Sequence, residues 1–186
     1  ARVVGERCAC KRYLHLRLLL HSPGPRVDVP LQDVVSGKDF ALALSPTGKL
    51  FAFGDNSYGQ LGVDTTTGTA TPTHVGADKS WSSVDSGLYF SCGITTGRDL
   101  YCWGINGAGQ LGNGTTINSS RPVLVTGGAI SGHTATAISV TSGGAQTCAL
   151  LENGTIACWG YNSRYQIQKI PMSIQGSRFY GAGLSW

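Results

Sequence analysis

The sequence is poor in charge and lacks the signals of a membrane span or a helical bundle. Only 13% of its 186 residues are charged, against 41% that are hydrophobic, whereas an average soluble domain has about 25% charged residues. This balance excludes a disordered tail, which needs high charge and few apolar side chains. No apolar run reaches the roughly 18 residues of a membrane span, and no apolar stripe of helical period follows residue 31. We therefore expect an ordered domain with no membrane contact in this segment.

Basic residues are concentrated at the N-terminus. Residues 1–30 hold six basic and two acidic residues, whereas residues 31–186 hold eight of each. A nucleic-acid-binding domain carries its positive charge as a stripe on the folded body, and this body is neutral. The sequence therefore predicts no nucleic-acid partner. It also predicts a basic N-terminal segment, 1–30, that is irregular or separate from the folded body.

Patterns typical of catalysis are missing as well. The four His residues are scattered, and no nucleophile elbow, metal-binding motif or P-loop occurs. Gly107–Gly112 matches the glycine-rich dinucleotide fingerprint, but loop-like sequence follows it where that site needs a helix N-terminus. We expect no catalytic residues, no cofactor and no bound metal, in a protein that is not an enzyme.

The sequence contains three repeats of one segment. Val34–Gly62, Val84–Gly112 and Val140–Gln168 align without a gap over 29 positions, at offsets of 50 and 56 residues. A period of this length is typical of propeller blades or stacked solenoid units.

Each repeat contains a predicted β-hairpin with two apolar faces. Pairing centred on the turns sets Leu42 opposite Ala52, Ala41 opposite Phe53, Gly93 opposite Tyr101, Ser91 opposite Trp103, and Thr147 opposite Trp159. A sheet that is apolar on both faces must be packed between neighbours, as propeller blades are. In the middle repeat the turn glycine, Gly97, stands one place earlier than in the other two, so its turn is expected to differ.

A ten-residue motif closes each hairpin. It reads Phe53-Gly-Asp-Asn-Ser-Tyr-Gly-Gln-Leu-Gly62 and Trp103-Gly-Ile-Asn-Gly-Ala-Gly-Gln-Leu-Gly112, and the third copy decays after Asn162. This motif resembles the regulator-of-chromosome-condensation repeat, which builds seven-bladed β-propellers. The resemblance implies an all-β fold, a partial and unclosed β-propeller of about three four-stranded antiparallel blades.

The resemblance also implies the domain boundaries. We expect propeller repeats over residues 31–168, divided at about 31–80, 81–137 and 138–168. Residues 169–186 form a tail that begins another blade or covers an edge. Three repeats cannot close a seven-bladed ring, so further blades from a longer chain are expected.

The motif residues are expected to build structure. Glycines permit close packing or bends, asparagines hydrogen-bond the local backbone, and glutamines cap backbone groups of the loop. The structural set comprises Gly54, Asn56, Gly59, Gln60, Gly62, Trp103, Gly104, Asn106, Gly109, Gln110, Gly112, Trp159, Gly160 and Asn162.

Two cysteine pairs occupy equivalent positions. Cys92 and Cys102 align with Cys148 and Cys158, and the first repeat lacks both cysteines. The predicted register sets each pair directly across its hairpin, where Cα separations of about 4.5–5.5 Å suit a disulfide. We expect two cross-strand disulfides, with four buried reduced thiols as the alternative.

The cysteines also bear on location. Disulfides persist in oxidising compartments, and Asn113, Asn118 and Asn153 head N-x-S/T sequons in predicted loops, where glycosylation is tolerated. The Cys-Trp-Gly version of the repeat is similar to the ectodomains of crinkly-type plant receptor kinases. We therefore expect an extracellular or secretory location, with the cytoplasm or nucleus as the alternative.

The expected function is the binding of a protein partner. Rigid blades hold variable loops, and such loops commonly carry recognition; the longest connections are Asp64–Lys79 and Asn113–Ala137. The family resemblance implies two alternatives. One is guanine-nucleotide exchange on a small GTPase, and the other is a structural repeat region of a larger kinase or ubiquitin ligase.

Overall fold

The computed structural model describes residues 2–5, 16–19, 30–126, 130, 135–140 and 146–161, and all regular structure among them is β-strand. The first blade contains β4 (Asp33–Ser36), β5 (Phe40–Leu44), β6 (Leu50–Gly54) and β7 (Thr69–Val75). The second contains β8 (Trp81–Ser86), β9 (Phe90–Thr95), β10 (Leu100–Gly104) and β11 (Ser119–Leu124). The third contains β12 (Ala135–Val140), β13 (Gln146–Leu151) and β14 (Ile156–Gly160).

A fourth sheet precedes the blades. It pairs β1 (Arg2–Gly5), β2 (Leu16–Leu19) and β3 (Pro30–Leu31) in an antiparallel order. Leu31 of this sheet is buried with Ala43, Val34 and Phe53 of the first blade. The tail at 169–186 and Asn162 lie outside the described residues. The described part of the chain contains no helix capable of spanning a membrane.

The predicted all-β, unclosed propeller is confirmed. In the first two blades four antiparallel strands follow one another in sequence order, and the third has three described strands in the same order. The hairpin register is also as predicted: Leu42 pairs with Ala52, Ser91 with Trp103 and Thr147 with Trp159. This agreement follows from the gapless repeat, because one turn position fixes every pair along a hairpin.

The hydrophobic core lies between the blades. Trp81 and Trp103 of the second blade are buried with Leu42 and Ala52 of the first. Trp159 of the third blade is buried with Cys92 and other side chains of the second. Both faces of the second blade are therefore buried against neighbours, and such interfaces add to the stability of each repeat.

The third blade shows how packing between blades changes the exposure of apolar side chains. Leu150 and Ile156 are 39% and 41% exposed, whereas their equivalents Ile94 and Leu100 in the second blade are buried. The second blade has a neighbour over this face, so equivalent apolar side chains differ in exposure with their place in the array.

The middle hairpin turn was expected to differ from the other two, but it has the same geometry. Gly48, Arg98 and Gly154 stand at the same place, and each donates its backbone N–H to the residue three positions earlier. Arg98 takes the left-handed conformation, with φ of 69°, that the two glycines take at 78° and 79°. The turn geometry is set by the strands it joins, and Arg98 therefore occupies a conformation that favours glycine.

Candidate functional site

The motif loop of the first blade is organised by one buried asparagine. Asn56 accepts a hydrogen bond from the backbone N–H of Leu61 at 2.9 Å, and it donates to the carbonyls of Thr65 and Thr67 at 2.7 and 3.2 Å. Its side chain therefore joins both arms of the loop between β6 and β7. The loop carries few apolar side chains, and these hydrogen bonds give it a fixed shape.

Asn106 has the same role in the second blade. It accepts from the backbone N–H of Leu111 at 2.9 Å and donates to the carbonyls of Thr115 and Ile117, both at 3.0 Å. Asn106 is fully buried. The Asn118 side chain in turn accepts the Asn106 backbone N–H at 2.9 Å.

The glutamines act through two different groups. The Gln60 side chain accepts the Tyr58 backbone N–H at 2.9 Å and donates to Asp55 at 2.6 Å. The pKa of Asp55 lies below its ordinary value, because the Asp55 carboxylate accepts hydrogen bonds, the strongest from the Ser57 hydroxyl. The Gln110 side chain likewise accepts the Ala108 N–H at 2.8 Å. These contacts lie within one loop.

The backbone carbonyls of the same glutamines connect the blades. The Gln60 carbonyl accepts hydrogen bonds from the Ser91 hydroxyl and the Trp103 indole N–H of the second blade, both at 2.9 Å. The Gln110 carbonyl accepts from Thr147 and Trp159 of the third blade at 2.8 and 2.9 Å. We call each such set an inter-blade bridge. Each indole thereby buries its ring without leaving its N–H unpaired.

The last glycine of the motif lets the tryptophan approach. Gly62 has a φ of 72°, and a Cβ there would lie 2.6 Å from the Trp103 indole nitrogen. Gly112 stands against Trp159 in the same way, at 2.7 Å. Any side chain would push the indole away from the glutamine carbonyl and break the bridge.

The four aligned cysteines form two pairs in the structure. Cys92 is bonded to Cys102 and Cys148 to Cys158, with Cα separations of 4.0 and 4.1 Å. Cys92 and Cys102 are completely buried between the second and third blades. In the first blade Leu42 and Ala52 fill the same place with apolar side chains.

A cluster of side chains, exposed except for the half-buried Tyr89, lies where the first two blades meet. We call it the tyrosine patch: Lys38, Tyr58, Leu88 and Tyr89. The tyrosine rings are 5.1 Å apart between centroids, and the Lys38 ammonium donates to the Tyr89 hydroxyl at 2.7 Å. The Lys38 backbone N–H donates to the Leu88 carbonyl at 2.9 Å. By accepting the hydrogen bond from the side chain of Lys38, the Tyr89 hydroxyl raises the pKa of the Lys38 ammonium.

The tyrosine patch was not predicted from the sequence. Its members come from two hairpin turns and one motif loop, and none lies in Asp64–Lys79 or Asn113–Ala137, the two connections predicted to carry recognition. The available signal was a departure from the repeat: Tyr58 aligns with Ala108, and Tyr89 aligns with Asp39 and Ala145.

A groove of about 310 Å³ also runs between the first two blades, at their outer edge. Its lining includes His74, Asp78, Lys79 and Arg121. Lys79 is paired with Asp78 at 2.7 Å, so the groove has no single sign of charge. Among the residues that the structure describes, no group of three or more His, Cys, Asp or Glu side chains is placed to hold a metal ion.

These sheets, bridges and loops define a class of protein, the β-propellers built from repeats of about fifty residues. A family model described as the regulator of chromosome condensation (RCC1) repeat matches residues 47–94 and 99–150. A second model with the same description matches residues 32–60, 81–110 and 137–166. The chain belongs to the regulator of chromosome condensation repeat family.

Solved structures show the same fold. Human WBSCR16 is 21% identical with a TM-score of 0.65, over 73% of this chain and 34% of its own. Yeast RCC1 (Prp20) bound to Kap60 is 18% identical with a TM-score of 0.63, over 81% of this chain and 39% of its own. Prp20p from Saccharomyces cerevisiae, described with its binding to Gsp1p and histones, is 18% identical with a TM-score of 0.52, over 61% and 31%. A search of curated proteins finds no match. The chain spans about a third of the length of these solved structures.

Proposed function

We propose that this chain is part of a non-catalytic propeller that binds a protein partner through the tyrosine patch. The observation that carries the proposal is the contrast between the two junctions of neighbouring blades. At the first junction the patch presents Tyr58, Leu88 and Tyr89, whereas the aligned positions of the second junction hold Ala108, Gly144 and Ala145. Since the fold is built at both junctions, it does not need the tyrosines.

The composition of the patch suits a protein interface. Tyrosine is enriched among the residues that dominate binding energy, since its ring offers a large contact area and its hydroxyl a hydrogen bond. Tyr58 and Leu88 are exposed, and Lys38 carries a positive charge at their edge. A partner with apolar side chains and a neighbouring carboxylate would complement this surface. Guanine-nucleotide exchange is the alternative that the family implies, and no geometry in the described residues favours it.

Site-specific photo-crosslinking tests the binding surface. A benzophenone amino acid placed at position 58 of the full-length protein, in its native cells, is expected to give a discrete protein adduct. The same probe at the equivalent position 108 is the matched control and is expected to give at least fivefold less. Tyr89→Ala should reduce the adduct from position 58. Equal labelling from both positions, or none from position 58, would contradict the proposed surface.

We also propose that the propeller lies in the secretory pathway or outside the cell. Two disulfides support this, because reducing compartments keep such thiols free. Alkylation of protein from its native source, followed by mass mapping without reduction, is the test. Cys92–Cys102 and Cys148–Cys158 peptides are expected to appear linked in most molecules. Alkylated free cysteines at all four positions would place the protein in the cytoplasm or nucleus.

A further inference from the structure

The three N-x-S/T sequons lie in different surroundings. Asn113 and Asn118 belong to the motif loop of the second blade, whereas Asn153 lies at the tip of the hairpin between β13 and β14. An asparagine can carry a glycan in the folded protein only where the amide nitrogen faces open solvent. The structure therefore ranks the three sequons.

Asn153 has the most open position. Its side chain is exposed, and its oxygen accepts hydrogen bonds only from Thr155 of its own sequon, within the described residues. These bonds, from the Thr155 N–H at 3.0 Å and its hydroxyl at 2.6 Å, fix the oxygen against the turn. A Cβ built on the adjacent Gly154 would meet no atom within 4 Å. Among the described residues, none therefore crowds this side of the turn.

This position stays exposed when another blade packs beside it. Thr47 and Gly97 occupy the equivalent place in the first two blades, and both are exposed although a following blade is present. A neighbour of the third blade would therefore leave Asn153 exposed too.

The other two sequons are tied to the loop. The Asn113 side chain is half-buried and accepts a 3.2 Å hydrogen bond from the Asn106 side chain. The Asn118 side chain accepts the backbone N–H of Asn106. Both oxygens bond Asn106, the residue that organises the loop, so the loop fixes the orientation of each side chain, whereas Asn153 is bonded only within its own turn.

We propose that Asn153 carries an N-linked oligosaccharide, an inference that rests on the secretory location proposed above. The donor is a lipid-pyrophosphate-linked oligosaccharide. The Asn153 amide nitrogen forms a bond to C1 of the first sugar, the C1–oxygen bond to pyrophosphate breaks, and the amide proton is lost to the catalytic base of the transferase. The lipid pyrophosphate leaves with the bonding electrons. The hairpin tip is at the opposite strand end from the tyrosine patch, so the glycan leaves that surface open.

The first test directs the full chain into the secretory pathway of cultured cells with an added signal sequence. This makes site choice independent of the native location. Peptide N-glycosidase converts a glycosylated Asn into Asp, which peptide mass spectrometry locates. Conversion at Asn153 is expected in most molecules, at least fivefold above Asn113 and Asn118. Secreted protein that is unmodified at Asn153, or modified equally at all three, would overturn the proposal.

Variants define the site further. Asn153→Gln and Thr155→Ala should remove the mobility shift caused by glycosidase treatment, whereas Thr155→Ser should retain it. The control variants Asn113→Gln and Asn118→Gln should leave the shift unchanged. In protein from its native source, an unmodified Asn153 beside linked cysteines would overturn the glycan alone. An unmodified Asn153 beside free cysteines would overturn the secretory location as well.

Discussion

Trp103→Ala is expected to lower the free energy of unfolding by about 3–5 kcal/mol, the usual cost of deleting a large buried aromatic side chain. The indole is completely buried between the first two blades, and its N–H is one donor of the inter-blade bridge to Gln60. Urea denaturation of the full-length protein, followed by circular dichroism, measures the loss. Trp103→Phe keeps most of the ring volume and should cost about 1–2 kcal/mol, chiefly through the lost hydrogen bond.

The first blade supplies the matched control. Phe53 stands where the other blades have tryptophan, but it is only half-buried and has no N–H to donate. Phe53→Ala is therefore expected to cost less than half as much as Trp103→Ala. Equal losses from the two substitutions would show that burial between blades does not govern stability here.

Asn106→Asp is expected to destabilise the protein by about 3 kcal/mol at pH 7, since it replaces two buried donors with a charge that faces carbonyl oxygens. The oxygen that accepts from Leu111 is retained, but the donors to Thr115 and Ile117 are lost. Burial among these carbonyls would raise the pKa of the new carboxyl above its unfolded value of about 4. The penalty is therefore smaller below pH 4, where the protonated carboxyl can donate to one of the two carbonyls, and it grows as the pH rises through that value.

Asn118→Asp in the same loop is the control. Asn118 is exposed, and its oxygen only accepts the Asn106 N–H, which a carboxylate also does. Its cost should stay below about 1 kcal/mol and change little with pH. Urea denaturation at pH 4 and pH 7 measures the free energy of unfolding of both variants. A penalty at Asn106 that does not change with pH would show that water reaches the new carboxylate.

The repeat made much of this fold predictable. One alignment of three hairpins fixed the strand pairs, the two cysteine pairs and the burial of Trp103 and Trp159. These features depend on local turns and on alternation along a strand, which the sequence displays directly. The middle turn was the exception, because residue preference pointed to Gly97 while the strand register selected Arg98.

The contacts between blades could not be predicted in the same way. The sequence suggested a role for the glutamine side chains, yet the bridging atom is the backbone carbonyl of Gln60 or Gln110, which every residue type possesses. The tyrosine patch brings together Lys38, Tyr58 and Tyr89, and their proximity depends on how two sheets are oriented. No pattern within one strand contains that information.

The inter-blade bridges have a direction along the chain. Each acceptor carbonyl precedes its donors, Gln60 by 31 and 43 residues and Gln110 by 37 and 49. During translation the acceptor therefore leaves the ribosome first, and the hydroxyl and indole that need it emerge later. The nascent chain can therefore add its blades one at a time, since each folded sheet already presents the carbonyl to which the next blade donates.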